Sequence, residues 1–193
     1  YMLANPFEKD NNFLNTNPLK GHKSPKKIVT PASSEKMIRE VENLRTLDCR
    51  LLQSKNYEVF FAKAKDIPNI LHEIGRLREI TFREVGEGTN ESIDLDKYDQ
   101  YYRHLFLWDD ETNKIAGAYR MGLGCEIYPK YGMDGFYLNG LFRFEPELHE
   151  MLHKSIEMGR AFIIKEYQQK PMPLFLLWRG IIHTTLHYPE HKY

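Results

Sequence analysis

A long amphipathic helix between two predicted β-hairpins determines the fold class expected for this chain. Apolar side chains from Ile67 to Phe82 recur at three- and four-residue spacing, which predicts a helix that ends near Glu84. Asp66 is the predicted N-cap, and Pro68 lies in the first turn. Pairs of apolar, β-forming segments joined by polar turns precede and follow this helix. The predicted strands cover residues 49–53 and 57–64 before it, and residues 103–108 and 114–121 after it.

The remaining segments continue this mixed order of helices and strands. Ser34 is the predicted cap of a short helix that reaches about Leu47, and the Gly- and Tyr-rich segment 122–140 has no assigned structure. The last predicted elements are a short helix at 146–153, a strand at 155–165 and a final helix that begins at Pro173 and runs through 174–187. This order predicts an α+β, mixed three-layer domain.

Length and composition divide the chain into a tail and one domain. The chain has 193 residues, somewhat more than a typical domain of about 150. Residues 1–33 contain four prolines and no helical or strand periodicity, so we predict a flexible linker or tail there and a folded domain at 34–193. A truncated fragment of a longer protein is an open alternative, because neither end has a composition typical of a terminus.

Charge, cysteine content and hydropathy argue against several classes of function. The 27 basic and 27 acidic residues balance, so recognition of nucleic acid through net charge is not expected. Cys49 and Cys125 form no CxxC pair, and a reducing, cytoplasmic compartment fits them. Every apolar segment is far shorter than the roughly 20 residues needed to span a bilayer, so any membrane contact would be peripheral. The basic segment 20–27 could attract anionic lipid headgroups weakly, and an ordinary flexible linker is the alternative.

The segment His149–His153 matches the HExxH pattern of zinc hydrolases. On a helix its two imidazoles would face one zinc ion, with Glu150 as a base. The extended form of the pattern fails, since Ile156 and Gly159 stand where Gly and His are required. We predict a solvent-exposed helix without metal, and a zinc-dependent hydrolase that uses these two histidines is kept as an alternative.

Opposite charges lie within or beside the apolar segments of the predicted helix and strands and in an acidic loop predicted at 89–101. Such groups are unfavourable to bury unless they pair, so we expect them to meet one another. They are Arg78, Asp96, Asp99, Arg120, Glu157 and Arg160. A structural ion-pair cluster and a catalytic site are both open interpretations of this set.

The same residues carry a resemblance to a known family. The segments Arg78-x-x-x-Phe82, 96–99, 104–106, 117–120 and 156–160 follow one another in the motif order of GNAT-like N-acyltransferases. The segment 177–181 is similar to the branch of ornithine-lipid N-acyltransferases and putative hemolysins rather than to the related acyl-homoserine lactone synthases. The resemblance covers about residues 57–188, and it implies a GNAT-like acyl-CoA N-acyltransferase fold.

The resemblance implies transfer of a fatty acyl group from a thioester to an amine. The expected donor is an acyl-phosphopantetheine thioester on acyl carrier protein or coenzyme A, with no permanently bound cofactor. The expected acceptor is an amino acid or amino lipid, in the synthesis of amino-acid-containing lipids. Such chemistry needs a strand edge for the pantetheine arm, a donor for the oxyanion and a base for the attacking ammonium. A non-catalytic, hemolysin-like module that binds lipid surfaces is an alternative from another class.

Residue roles follow from the resemblance. The strand at 156–164 is the expected edge, and Glu157 is expected to orient or deprotonate the amine, with Asp99 as the rival base. Arg120 and Arg160 are expected either to hold the acidic loop or to bind an acceptor carboxylate, which suits a planar guanidinium. The further substrate-binding candidates are Arg78, Phe82, Asp96 and His104, of which the histidine could also be a base or a purely structural residue. The candidates for donor binding are Phe162, Lys170 and Arg179.

The segment 168–173 departs from ordinary GNAT enzymes. It has no glycine, and Pro171 and Pro173 remove two backbone donors that could bind the pyrophosphate of coenzyme A. The single phosphate of a carrier-protein arm needs fewer donors. Basic residues on nearby segments could meet an acidic carrier protein or form an ordinary solvated face. They are Lys154, Lys165, Lys170 and Arg179.

Overall fold

The computed structural model describes residues 24–193, which form one five-stranded sheet and six α-helices. The strands are β1 (Arg50–Ser54), β2 (Tyr57–Lys63), β3 (Arg103–Asp109), β4 (Lys114–Leu123) and β5 (Ile156–Ile163). The helices are α1 (Ser34–Thr46), α2 (Pro68–Glu84), α3 (Gly124–Tyr131), α4 (His149–His153), α5 (Lys165–Gln168) and α6 (Pro171–His187). All neighbouring strands are antiparallel and follow one another in chain order, so both predicted hairpins are present.

Helices cover both faces of the sheet. On one face α1 and α2 share a core with the inward side chains of β2 and β3, which include Phe60, Phe106 and Trp108. On the other face Leu176 and Leu177 of α6 share a core with Val59, Leu105 and Leu107. Successive side chains of β2 and β3 point to opposite faces of the sheet and therefore contribute to two separate apolar cores. The predicted mixed three-layer α+β fold is confirmed.

The start of α2 differs from the prediction. Its N-cap is Ile67, which makes no side-chain cap, and Asp66 lies in the preceding 3₁₀ turn. The amides of Asn69 and Ile70 instead donate to the Glu40 carboxylate of α1, at 2.9 and 2.8 Å. A carboxylate from a packed neighbour thus satisfies the donors that a local cap usually serves.

Two other helix boundaries are also shifted. The N-cap of α1 is Ser33 rather than Ser34. Helix α6 begins at Pro171, two residues before the predicted Pro173. Proline suits the first position of a helix, because its missing N–H would have no partner inside the helix.

Strand β5 is an edge of the described sheet, and its main chain is bulged. Arg160 and Ala161 together face Tyr119 of β4, between the pairs Ala118–Phe162 and Arg120–Gly159. Arg160 has a φ of 52°, in the left-handed region that residues other than glycine seldom adopt. The bulge twists the edge locally, and space remains open beside Gly159.

The segment without a predicted structure continues β4 to Leu123 and then forms α3. Close packing requires two of its glycines, since a methyl group on Gly124 would lie 2.2 Å from the Leu152 carbonyl oxygen and one on Gly122 would lie 2.4 Å from the Tyr102 ring. Ile127 and Phe136 from this segment pack with Tyr102 in a third apolar cluster. That cluster places the loop after α3 against the start of β3.

The first described residues run along the loop that precedes β3. The amides of Lys26 and Val29 donate to the carbonyl oxygens of Asn90 and Ser92, at 2.9 and 3.0 Å. Residues 1–23 lie outside the described part, and with them most of the predicted tail and half of the basic segment 20–27. The division of the chain at residue 33 stays a prediction. Among residues 24–193, no helix has the length and apolarity to cross a bilayer.

Candidate functional site

Three arginines and three aspartates alternate in a closed ring of ion pairs, which we call the Arg–Asp ring. Its members come from α2, the acidic loop, β4 and β5. The N–O distances are Arg78–Asp94 3.0 Å, Arg78–Asp99 2.9 Å, Arg120–Asp99 3.2 Å, Arg120–Asp96 2.7 Å, Arg160–Asp94 3.5 Å and Arg160–Asp96 3.9 Å. Each cation meets two anions and each anion meets two cations, so the ring is neutral as a whole.

The ring is buried at its centre and opens toward Arg160. The side chains of Arg78 and Asp99 are 1% and 0% exposed, whereas that of Arg160 is 23% exposed. Burial alone would raise the pKa of Asp99, but the charges of Arg78 and Arg120 hold that pKa below its ordinary value. The ring therefore ties α2, the acidic loop and the two last strands together.

The sequence prediction that these charges meet is thus correct for five of its six residues, because Glu157 is not part of the ring. The prediction lacks Asp94, which gives both a carboxylate and its carbonyl oxygen to Arg78 as acceptors. Its place two residues before Asp96, in a loop with three aspartates, was the available signal. Asp96 and Asp99 also form a capping box that shapes the 3₁₀ turn Lys97–Gln100.

Glu157 lies outside the ring and receives three hydrogen bonds. The hydroxyl of Tyr102 donates to Oε2 at 2.5 Å, and the amide of Tyr137 donates to the same oxygen at 3.2 Å. The amide of Leu138 donates to Oε1 at 3.0 Å. Burial first, and then the Glu157 carboxylate, raise the pKa of Tyr102 far above its ordinary value, so this phenol keeps its proton. Oε1 accepts a single bond from the described residues and can accept another from a ligand or water.

Glu157 and two members of the ring line one pocket of about 270 Å³ at the bulged part of β5. The pocket residues are Phe82, Glu87, Tyr102, Arg120, Tyr137, Leu138, Glu157, Met158, Gly159 and Arg160. The guanidinium of Arg120 lies 5.3 and 5.2 Å from the ring centres of Tyr102 and Tyr137. Its hydrogen bonds to Asp96 and Asp99 run from Nη1, so within the described chain Nη2 is left for a ligand.

A second pocket of about 330 Å³ continues this one along β5. Phe82 and Glu87 line both pockets, and Ala161 to Ile163 form the floor of the second. Leu174 of α6 and the C-terminal end of α2 form its walls. We call the two pockets together the edge groove. It is long, partly apolar and runs beside main-chain groups that have no strand partner on that side within the described sheet.

The other predicted substrate and donor residues are spread over different places. Phe82 lines the edge groove, and Phe162 is mostly buried in the core while one side of it faces the groove. Lys170 and Arg179 are exposed and lie over the rings of Tyr167 and Phe175, at 4.2 and 5.9 Å. The structure therefore brings Phe162 to the groove and leaves the two cations on the surface near α6.

His104 is fully buried beneath the Arg–Asp ring and does not reach the pocket. Its Nε2–H donates to the carbonyl oxygen of Asp99 at 3.0 Å, and its Nδ1 has no partner in the described chain. Burial lowers the pKa of His104 to about 4, from an ordinary value of 6.5. A neutral, structural histidine fits this environment better than a base or a substrate ligand.

We therefore expect His104 to make folding sensitive to acid. The pKa of His104 is lower in the folded state. The contribution of the neutral imidazole to the free energy of unfolding is therefore complete above about pH 6.5 and is lost as the pH falls toward 4. Between about pH 7 and about pH 4.5 this group should reduce the free energy of unfolding by roughly 2 kcal/mol. Urea unfolding of wild type and His104→Gln at both pH values measures it. Equal losses in the two proteins would contradict the assignment.

The HExxH segment forms α4, a helix of five residues. The ring of His153 stacks on Tyr128, with centres 5.3 Å apart. Among residues 24–193, the one group of three potential metal donors is Cys125, Glu190 and His191, which contains neither histidine of α4. The geometry gives a zinc-dependent hydrolase no support.

The N-terminus of α6 offers few donors for phosphate. The Lys170 amide already donates to the Tyr167 carbonyl oxygen at 3.1 Å. Pro171 and Pro173 have no N–H, so Met172 supplies the one remaining free amide of the first turn. That this segment is a weak pyrophosphate site stays a prediction.

The fold and the edge groove agree with a family match. Residues 77–178 match the family described as an acetyltransferase (GNAT) domain. Because this match covers more than half of the 193 residues, the chain belongs to that family and has a GNAT fold. The GNAT part of the sequence resemblance is confirmed, while its ornithine-lipid or hemolysin branch stays a prediction.

Two curated relatives share most of the chain. Both are glycine N(alpha)-acyltransferases, one from Bacteroides thetaiotaomicron and one from Phocaeicola vulgatus. Each is 34% identical in an alignment 177 residues long, which covers 86% of this chain and 52% and 54% of the relatives. The chain thus spans about half the length of the relatives it matches. No solved structure gives a significant match.

Proposed function

We propose that this chain carries the catalytic centre of an N-acyltransferase that moves a fatty acyl group from a phosphopantetheine thioester to the α-amine of an amino acid. The observation that carries the proposal is the pocket in which the Glu157 carboxylate and the Arg120 guanidinium meet the open edge of β5. This pocket supplies a carboxylate that can accept a proton, a fixed positive charge and an open strand edge along which an extended acyl donor can bind.

The donor fits the edge groove. A pantetheine arm contains two amides, and these can bond to the main chain of β5 as an added strand would. The bulge at Arg160 opens the edge beside Gly159, so the thioester can approach Glu157 there. The acyl chain would then continue over the apolar walls of the groove.

The chemistry needs one proton transfer to a base and one electrostatic contact. The acceptor ammonium loses a proton to Glu157, directly or through water, and the amine then attacks the thioester carbonyl carbon. Negative charge develops on the carbonyl oxygen, where a guanidinium or a main-chain amide stabilises it. The carbon–sulfur bond breaks, an amide bond remains, and the departing thiolate takes up the second proton that the nitrogen loses.

Arg120 supports an amino acid as acceptor. Its Nη2 points to no described partner, and a guanidinium binds a carboxylate through paired hydrogen bonds. The Arg–Asp ring keeps it charged, since hydrogen bonding to Asp96 and the Asp99 charge outweigh burial and raise the pKa of Arg120. The names of the two relatives favour glycine over ornithine, and the small pocket suits an acceptor without a long side chain.

Acyl carrier protein is the donor that we favour over coenzyme A. The first turn of α6 has a single free amide, which matches one phosphate better than a pyrophosphate. The exposed Lys170 lies at that turn and the exposed Arg179 lies about two turns further along α6, and both could meet an acidic carrier protein. The product would be an N-acyl amino acid of amino-acid-containing lipid synthesis, and peripheral membrane contact would suit such a product.

Incubation of the full-length protein with palmitoyl-acyl carrier protein or palmitoyl-CoA tests the proposal. Each donor is offered with glycine, ornithine and a panel of other amino acids, and products are identified by mass spectrometry. We expect N-palmitoylglycine, formed faster from the carrier protein. Absence of an N-acylated product with any acceptor would refute catalysis and favour a non-catalytic, lipid-binding module.

A further inference from the structure

Helix α6 has an apolar face that points away from the sheet. Its buried side packs on the core through residues such as Leu176, Leu177 and Gly180. Its other side exposes large apolar groups at a spacing of three or four residues. They are Leu174 50%, Phe175 55%, Trp178 61%, Ile182 56% and Leu186 71% exposed, and we call them the outer face of α6.

The charged side chains of α6 and of its N-cap Lys170 are positive, whereas Glu87 lines the edge groove together with Leu174. Helix α6 contains no Asp or Glu between Pro171 and His187. Arg179 lies at the border of the outer face, with its guanidinium 5.9 Å from the Phe175 ring, and Lys170 precedes the helix. Large aromatic and aliphatic groups bordered by cations are typical of helices that lie in the headgroup region of an anionic bilayer.

The outer face is continuous with the edge groove. Leu174 belongs to the face and also lines the groove wall. Val85, at the C-terminal end of α2, is 68% exposed and lines the same part of the groove. The end of the groove farther from Glu157 therefore opens beside the apolar stripe.

We propose that the outer face of α6 docks on the surface of an anionic lipid bilayer and that the edge groove opens toward that bilayer. The docking surface is inferred from the exposed apolar side chains of the outer face and the cations beside them. The idea that the acyl chain leaves the groove toward the bilayer rests on the proposed function. A second copy of the chain fits this face less well, because a two-fold contact centred on α6 would place Arg179, in the middle of the helix, against its own copy. A bilayer offers apolar depth and negative charge together.

Trp178 provides a direct probe of docking. The chain has two tryptophans, and Trp108 is 0% exposed in the core, so a change in emission reports the exposed one. We expect a blue shift and co-sedimentation of the full-length protein with phosphatidylglycerol vesicles. Binding should be much weaker to phosphatidylcholine vesicles and should fall as salt increases.

A double variant and a matched control make the test specific. Ile182→Glu with Leu186→Glu should reduce vesicle binding about tenfold or more, since both apolar groups leave the interface and two negative charges enter it. Leu47→Glu changes an apolar group that is 52% exposed beside α1, on the opposite side of the sheet, and should bind as wild type does. Wild-type binding by the double variant would overturn the proposal, as would failure of the wild type to bind phosphatidylglycerol vesicles.

The same proteins separate this inference from the proposed function. Acyl transfer to soluble glycine without vesicles should persist in the double variant, because neither position lines the edge groove. Vesicle binding without any acyl transfer would leave the docking surface standing and remove the enzymatic proposal. A concentration-dependent dimer in sedimentation equilibrium that the double variant abolishes would assign the face to a second copy and overturn the inference.

Discussion

Replacement of Glu157 with Gln is expected to lower acyl transfer roughly 100-fold or more, because the base that takes the proton from the ammonium is lost. The amide keeps the shape of the carboxylate and one acceptor for the Leu138 amide. We therefore expect a folded protein whose donor binding is close to that of wild type. The loss should lie in kcat, and activity should recover partly at high pH, where more acceptor is already deprotonated.

A neighbouring variant separates catalysis from support of the loop. Tyr102→Phe removes one of the three hydrogen bonds to Glu157 and keeps the carboxylate. If Glu157 served the loop after α3 alone, both variants would lower stability and neither would change the pH profile of the folded enzyme. Full activity of Glu157→Gln would remove this residue from the mechanism.

Arg78→Met is expected to reduce the free energy of unfolding by about 3–5 kcal/mol, the largest stability effect of any exchange in the Arg–Asp ring. Asp94 and Asp99 would then keep their buried negative charges with a cation on one side only. Arg78→Lys should lie between the variant and wild type, since one ammonium cannot reproduce the forked contacts.

A surface pair provides the comparison. Lys114 and Glu166 form an ion pair at 3.0 Å with both side chains about half exposed. Lys114→Met should change the free energy of unfolding by about 1 kcal/mol or less. Urea unfolding at neutral pH measures all three variants. An Arg78→Met loss as small as that of the surface pair would show that the ring is not a structural unit.

Local signals in the sequence were sufficient for the parts of the fold that are encoded locally. The polar turn between β3 and β4 predicted that hairpin, and the apolar periodicity of α2 predicted that helix, each within a few residues. The predicted N-cap of α2, Asp66, was wrong because the amides of the first turn bind Glu40, which is 29 residues away from Asn69. No local pattern can report a cap that comes from another helix.

The sequence predicted most of the charged residues of the site. It did not predict which of them are buried in the ring and which one faces the pocket. Charges within apolar segments indicated that Arg78, Asp99 and Arg120 would meet, because isolated buried charges are unfavourable. The sequence could not show that Asp99 lies in a buried ring whereas Glu157 faces a pocket with Tyr102. That distinction depends on the bulge in β5 and on the loop after α3, whose conformation is set by packing on Tyr102.

A crystal structure with a non-hydrolysable acyl-pantetheine thioether tests the central claim most directly. We predict that the arm lies along the outer edge of β5, bonded to the main chain of residues 158–162. The acyl carbon should then lie in the pocket between Glu157 and Arg120. An arm bound at the opposite edge of the sheet, with the β5 edge left empty, would contradict it.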